Sequence, residues 1–362
     1  MWSRSLWRQN YKQAKTMIWG FILVSLLLPY NLFQESVSIN NEWPKNLDSH
    51  HRVSPPPSAY DMSYYFMDTS LILQGMVVII MASLLLGLQR TNQSYELTLS
   101  LPYSRQEIML SKWLLGVLTI VGSVAVSALL SLIVIQTTIL TEYFHLEVLG
   151  YYVIFAILGT VAIFSFATMF GYLTGSFFAQ AVLTSIFVIF PIPFAELVRT
   201  FVSNHTGEFV SMSGFTDSMS LVTLAMYVAD FGYRASDAIH REGGLSGIGT
   251  VILVCGLYTL LSVALAYILS RHAKAEHHGR TLLYQSIEPI LKAGVIVCFF
   301  LTGGMFFSEI NYHGGERSLV SYYMGGILFA GIAYYVLTKL LNIRFRFQYP
   351  TKNHNKKVNA TK

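Results

Sequence analysis

Charge is scarce in this sequence. Asp, Glu, Lys and Arg make up 12% of the 362 residues, whereas about 25% is typical of soluble domains. Apolar and aromatic residues contribute 53% before the 26 glycines are counted. With glycine the apolar share is about 60%, above the 45–50% of soluble chains. This composition excludes a soluble multi-domain enzyme, a disordered chain and a fibrous repeat.

Cysteines and catalytic motifs are also scarce. The two cysteines, Cys255 and Cys298, both lie in apolar runs, which excludes a disulfide framework or a Cys-rich zinc site. The sequence has no G-x-x-x-x-G-K-[ST] phosphate loop, no H-E-x-x-H and no G-x-S-x-G, so it does not bind ATP through a phosphate loop. We expect no metal and no cofactor, and we do not expect an enzyme.

Long apolar runs are abundant, and each is a candidate membrane span of about 20 residues. They predict an all-α polytopic membrane protein with eight spans. Seven spans is the alternative, because the seventh run is short and contains Gly303 and Gly304. The predicted spans are 17–33, 69–88, 114–140, 149–170, 178–197, 248–270, 291–309 and 319–341.

The distribution of Lys and Arg predicts the orientation, because cytoplasmic segments are rich in these residues. With the N-terminus inside, the inner segments hold 18 of the 24 Lys and Arg residues. We therefore expect both termini in the cytoplasm of a bacterium, with the spans in its plasma membrane. The formal charge of +5 then reflects membrane topology and does not require a nucleic-acid partner.

The regions outside the spans divide the chain further. Residues 1–16 predict an amphipathic interfacial helix, in which basic residues and an aromatic residue favour contact with membrane lipids. Outer loops are expected at 34–68 and 198–247, and the second contains an apolar stretch, Leu221–Phe231, that is too short to span. Residues 17–270 form a six-span core, 271–342 an additional hairpin and 343–362 a basic disordered tail. The predicted interfacial residues are Arg4, Trp7, Arg8, Lys12 and Lys15.

The inner loop 89–113 is the most informative segment. Leu97 and Leu101 share one helix face, and Pro102 disfavours a helical Leu101, so a first short helix ends there. Ser104 and Glu107 then form a capping-box pattern that starts a second helix leading into the third span. A short helix joined rigidly to a span suits the transmission of motion, although a simple connector would have the same local features.

The segment from Glu96 through Leu101-Pro102-Tyr103-Ser104-Arg105, Glu107-Ile108 and Ser111-Lys112 resembles the coupling segment of ABC-2-type exporter permeases. The resemblance covers roughly residues 1–270. A glycine that often precedes the Thr-Leu stretch in that family is missing, and two spans exceed the usual six. An additional terminal hairpin occurs in a Gram-positive subgroup of these permeases, and the chain is similar to that subgroup.

The resemblance implies partners and residue roles. Two permeases, either two copies of one chain or two homologues, would pair above two cytosolic ABC ATPase subunits. Leu97 and Leu101 would dock in an ATPase groove, Glu96 and Arg105 would form ion pairs at its rim, and Pro102 and Ser104 would fix the angle between the helices. The full set of expected coupling residues is Glu96, Leu97, Leu101, Pro102, Ser104, Arg105, Glu107 and Lys112.

The sequence thus predicts the permease subunit of an ABC exporter that is energised by separate ATPase subunits. The uncharged span interiors favour an amphipathic, lipid-like or peptide substrate. Two alternatives remain open: an accessory or sensory membrane protein without transport, and a secondary carrier that uses uncharged carbonyls and hydroxyls. The carrier is the weaker of these, because ion-coupled transport usually needs ionisable groups at membrane depth.

Overall fold

A computed structural model of the chain describes residues 4–47, 59–91, 102–144, 146–207, 211–231, 245–272, 283, 288–310 and 318–342. These residues form helices and no β-sheet. In chain order the helices are α1 Arg4–Ser25, α2 Leu27–Leu47, α3 Ala59–Thr91, α4 Arg105–Thr137, α5 Leu140–Tyr143, α6 Leu146–Leu173, α7 Phe177–Ile189, α8 Pro191–Thr206, α9 Ser213–Val222, α10 Met226–Ala229, α11 Leu245–His272, α12 Glu288–Ile310 and α13 Leu319–Asn342.

The helices confirm an all-α polytopic membrane protein. Within the described ranges, seven are long and apolar enough to cross a membrane, counting α1 and α2 as one, and the bent pair α7–α8 makes up to eight. The weak seventh run of the sequence is a continuous helix, α12. The uncertainty in the span count therefore lies at the predicted fifth span, 178–197.

Two prolines explain the bend in the fifth span. Pro191 and Pro193 have no N–H to donate within a helix, and α7 and α8 meet at 55°. Next to the bend, the carbonyl of Val188 accepts a hydrogen bond from the N–H of Ala225 at 3.1 Å. A carbonyl freed by a kink in a membrane helix needs such a partner.

The contacts at its two ends show that the bent pair crosses the bundle. At the start of α7, a Cβ on Gly87 would lie 2.6 Å from the Cα of Phe177, so α3 and α7 touch there. At the end of α8, Asn204 donates to Ser308 Oγ at 3.3 Å, near the end of α12. The segment before α12 lies at the opposite end, because Leu283 N–H donates to the Leu173 carbonyl at 2.9 Å. These contacts favour eight crossings.

The N-terminal leader is not a separate helix in the structure. The structure has no boundary at residue 16, because α1 runs without a break from Arg4 to Ser25. The break before α2 comes at Leu26, and Pro29 explains it, since it cannot donate to the Ser25 carbonyl. The Ser127 hydroxyl of α4 donates to that carbonyl at 2.5 Å instead.

The two predicted outer loops are partly helical. Residues 34–47 continue α2, because Ser36 and Ile39 are buried against the bundle, and 59–68 belong to α3. The apolar stretch Leu221–Phe231 contains the end of α9 and the short helix α10, and it folds back into the bundle. A Cβ at Gly159 of α6 would lie 3.2 Å from Val228 Cγ1. Residues Pro55–Pro57 and the tail 343–362 lie outside the described part of the chain.

The C-terminal hairpin, α12 and α13, is tightly packed at its glycines. A Cβ at Gly303 would lie 2.5 Å from the carbonyl oxygen of Gly325, so the two backbones approach as closely as small residues allow. The hairpin contacts α8 through the Asn204–Ser308 bond and through His205, whose Nε2 is 2.8 Å from Tyr323 Oη. The larger core joins α1–α4, α6, α10 and α11.

Candidate functional site

The second half of the predicted coupling segment lies at the start of α4. Ser104 is extended, with φ −67° and ψ 147°, and it caps the helix. Its Oγ accepts from Glu107 N–H at 3.2 Å, and Glu107 Oε2 accepts from Ser104 N–H at 2.9 Å. The capping box predicted from the sequence is therefore present. It fixes the angle at which the preceding segment enters α4.

Lys112 lies inside the bundle, two turns above the cap, and is 1% exposed. Its Nζ donates to the Leu85 carbonyl of α3 at 2.7 Å and also to Gln89 Oε1. Gln89 in turn donates to Gln13 Oε1 at 2.6 Å, and Gln13 donates to the Leu84 carbonyl at 3.0 Å. The charged head of Lys112 thus joins α4 to α3 and, through the glutamines, to α1.

A second polar contact joins α4 to α1. Asn10 is 1% exposed, and its Nδ2 donates to Ser111 Oγ at 3.0 Å. Below this contact, Ser5 Oγ lies 2.8 Å from Tyr103 Oη, in the turn that precedes the capping box. The first three turns of α1 therefore pack alongside the turn 102–104 and the start of α4.

The other face of the α4 base contacts α6 and α11. Met109 is fully buried in a small apolar cluster with Leu86, Tyr172 and Ala266. Trp113 Nε1 donates to Ser165 Oγ of α6 at 2.9 Å. We call Ser104–Trp113 the α4 base, and we find that it is fixed to four other helices: α1, α3, α6 and α11.

One further contact ties the first turn of α4 to the end of α11. When the side-chain amide of Gln106 is oriented to satisfy both its nitrogen and its oxygen, the nitrogen donates to Tyr267 Oη at 3.0 Å. The oxygen then accepts from Arg271 Nη2 at 3.1 Å. The Arg271 guanidinium also lies over the Tyr267 ring, 5.2 Å from its centroid. Arg271 was not among the residues predicted for the coupling site.

The predicted coupling residues fall into three groups. Glu96, Leu97 and Leu101 lie outside the described residues. Pro102, Ser104, Arg105 and Glu107 are exposed around the turn and the cap, and Lys112 is buried. The exposed position of Arg105 is compatible with the predicted contact to a partner, whereas Lys112 is buried inside the bundle.

The predicted interfacial residues lie on α1. Arg4, Arg8, Lys12 and Lys15 are exposed, and Trp7 is half-buried against the core. Arg4, Arg8 and Lys12 border an open cleft of about 730 Å³ with Ser5 and Gln9. The buried face of α1 includes the polar residue Asn10 together with Leu6, whereas Tyr11 is 39% exposed.

Sequence reasoning missed Asn10, Gln13 and Gln89 as members of the site. Asn10 and Gln13 interrupt the apolar side of the leader, and that interruption was the available signal. Polar residues at the end of a membrane helix are ordinary at an interface, so the pattern alone does not distinguish solvation from bonding between helices.

The fold and the α4 base together define a class: a multi-pass α-helical membrane protein of the bacterial plasma membrane, with a capped helix fixed to four others at one end of the bundle. Comparison with known proteins identifies the family. The model of the ABC-2 family transporter proteins matches residues 9–276, and the chain belongs to that family.

The relative YtrD from Bacillus subtilis (strain 168) is described as a probable ABC transporter permease. It is 28% identical over 190 residues, which is 51% of this chain and 53% of YtrD. The chain thus spans about half the length of that relative. No solved structure matches the chain. The family match ends at residue 276, so it includes the α4 base and excludes the hairpin α12–α13.

Proposed function

We propose that this chain is the membrane subunit of an ABC exporter and that ATP is hydrolysed by separate cytosolic subunits that dock on residues 89–113. The α4 base is the observation that carries this proposal. Its residues form the last part of this docking segment, and its buried and capped contacts reach α1, α3, α6 and α11. A displacement of the docking segment would therefore move all five helices together.

The chemistry of the docking segment supports an ATPase partner. Leu97 and Leu101 lie on one helix face in a segment where leucines alternate with polar residues. Burying each of them against a partner contributes roughly 1.5–3 kcal/mol. Arg105 is exposed at the start of α4, and we place it at the rim of that interface. Two ATPase subunits and a second permease, a copy or a homologue, complete the proposed assembly.

We assign the basic row on α1 to membrane lipids. Arg4, Arg8, Lys12 and Lys15 are exposed and follow one another at helical spacing. Lys12 lies level with the polar group at Gln13 and Gln89, where the apolar part of α3 ends. Anionic headgroups at this level attract Lys and Arg by about 1 kcal/mol each.

The proposed cargo is an amphipathic, lipid-like or peptide molecule that moves outward. The support is chemical, because the predicted spans have no charged residue near their middle. A strongly charged cargo usually needs ionisable partners at membrane depth.

The double substitution Leu97→Asp with Leu101→Asp tests the docking proposal. It removes the apolar gain and places two carboxylates in an apolar groove, so we expect ATPase binding and transport to fall together. Membrane insertion stays intact, because both positions lie outside every span. The readout is co-purification of the ATPase from detergent-solubilised membranes.

Thr98→Ala is the matched control, because residue 98 points about 100° away from residue 97 on a helix. It should retain the ATPase. If the double variant inserts normally and binds the ATPase at wild-type strength, residues 89–113 are only a connector and the proposal fails.

A further inference from the structure

An apolar groove separates the family core from the C-terminal hairpin. It lies between α7 and α12 and has a volume of about 390 Å³. This is more than twice the roughly 150 Å³ of a dry apolar cavity that accommodates benzene. One wall belongs to the residues that match the family and the other to the hairpin beyond residue 276.

The lining of the groove is apolar throughout. Leu183, Ile186 and Phe187 come from α7, and Phe190 directly follows it. The wall of α12 is formed by Ile290, Leu291, Gly294, Val295, Cys298 and Phe299. No hydroxyl, amide or charged group belongs to this lining among the described residues, so water entering the groove would lose its hydrogen bonds.

The shape of the groove suits a linear chain. Its lining extends from Leu183 to Phe190 and from Ile290 to Phe299, which at a rise of 1.5 Å per residue is about 10–14 Å along the helices. Gly294 gives the groove its depth, because a Cβ at this position would have no neighbour within 4 Å.

The groove is continuous with the lipid-facing surface. Ile186 is 49% exposed and Ile290 is 72% exposed, and both belong to helices that cross the membrane. At the start of α12 the groove ends beside an ion pair, in which Lys292 Nζ lies 2.7 Å from Glu288 Oε1. Charged groups at this end of the groove indicate the interface between membrane and water. An amphipathic molecule in the groove therefore has its polar end at that interface and its hydrocarbon chain at membrane depth.

We propose that this groove binds one acyl chain of a membrane phospholipid. The lipid fills the space between the core and the hairpin that protein side chains leave open. Neither the lipid nor the groove depends on the proposed ATPase, so the site is testable in the permease alone.

A photoactivatable phosphatidylglycerol, with a diazirine in its acyl chain, tests the site in nanodiscs of phosphatidylglycerol and phosphatidylethanolamine. We expect cross-links to α7 and α12 at the groove lining, mapped by mass spectrometry. Gly294→Phe fills the groove and should lower these cross-links on the order of tenfold. Gly331→Phe on α13, another glycine with open space around it, should leave them unchanged.

Cys298 provides a second measurement on the wild-type sequence. Cys255 is fully buried in the core, so labelling by an apolar maleimide reports Cys298. Phospholipids with long acyl chains should protect Cys298, and short-chain detergent should not. Equal cross-linking in the two glycine variants would overturn the proposal. So would protection of Cys298 that increases with protein concentration, because a second copy of the chain would then cover it.

Discussion

At the scale of single residues, Lys112 shows how a charge is accommodated near the end of a membrane bundle. Removing an ammonium group from water is costly unless it is hydrogen-bonded. The Leu85 carbonyl and Gln89 Oε1 both accept from Lys112, and Gln89 is held by Gln13. The cost is offset by bonds that also connect three helices, so the residue fixes α4 in position.

Replacing Lys112 by Met should therefore destabilise the bundle while keeping most of the side-chain volume. Hydrogen bonds to a charged group contribute about 1.5–3 kcal/mol each, so we expect a loss of that order in the free energy of unfolding. Lys15→Met, at an exposed position on α1, should change it by less than about 0.5 kcal/mol. Thermal unfolding in detergent measures both, and equal stability of the two variants would contradict an anchoring role.

At the scale of helices, prolines and glycines decide where the bundle bends and where it closes. Pro29 and Pro191 each free a carbonyl, and the bundle supplies a donor nearby in both regions: Ser127 bonds to Ser25, and Ala225 N–H bonds to Val188. Glycine has the opposite effect in the hairpin, where Gly303 permits α12 to touch α13 along their backbones.

Gly303→Leu should separate the hairpin. A side chain there meets the Gly325 carbonyl oxygen and Phe329, and overpacking of this kind typically costs about 1–3 kcal/mol. Gly331→Leu on α13 is the control, because its Cβ has open space. Limited proteolysis after residue 272 should cut the Gly303 variant faster than the control, and identical cleavage rates would contradict the packing described here.

Much of the fold at this scale could be predicted from the sequence. Apolar runs predicted where the membrane helices lie, although α1, α2 and α3 extend well beyond the predicted spans. Ser104 with Glu107 predicted the cap that the structure confirms. The continuous α1 could not be predicted, because a basic leader has the same composition whether it lies on the membrane or continues a span. The folding of Leu221–Phe231 into the bundle depends on distant small residues, Gly75 and Gly159, which local periodicity does not indicate.

The site was predicted only in part, for a physical reason. A coupling motif is local, so residues 96–112 carried its signal. Its attachment depends on side chains about 75–100 positions away along the chain, such as Gln13 and Asn10. These contacts are set by how the helices pack together, and a single sequence does not encode that packing as a pattern.

At the scale of the whole molecule, eight crossings, with the bent pair α7–α8 counted as one span, predict both termini on one side. Cysteine labelling at Ser54→Cys and Asn359→Cys, in a chain with Cys255 and Cys298 replaced by Ser, tests this topology. An impermeant maleimide should label residue 54 from outside the cell and residue 359 only after the membrane is opened. Labelling of both positions from the same side would contradict the eight-span topology.

The central claim is that this permease obtains its energy from a separate ATPase through residues 89–113 and the α4 base. The most direct test is ATP hydrolysis by the purified chain, alone and in nanodiscs together with an ABC ATPase that co-purifies with it. We predict no hydrolysis by the chain alone, because it has no phosphate loop. The complex should hydrolyse ATP, and it should lose the permease-dependent part of this activity with Leu97→Asp and Leu101→Asp. Specific hydrolysis that persists in the extensively purified chain without a second polypeptide would contradict the claim.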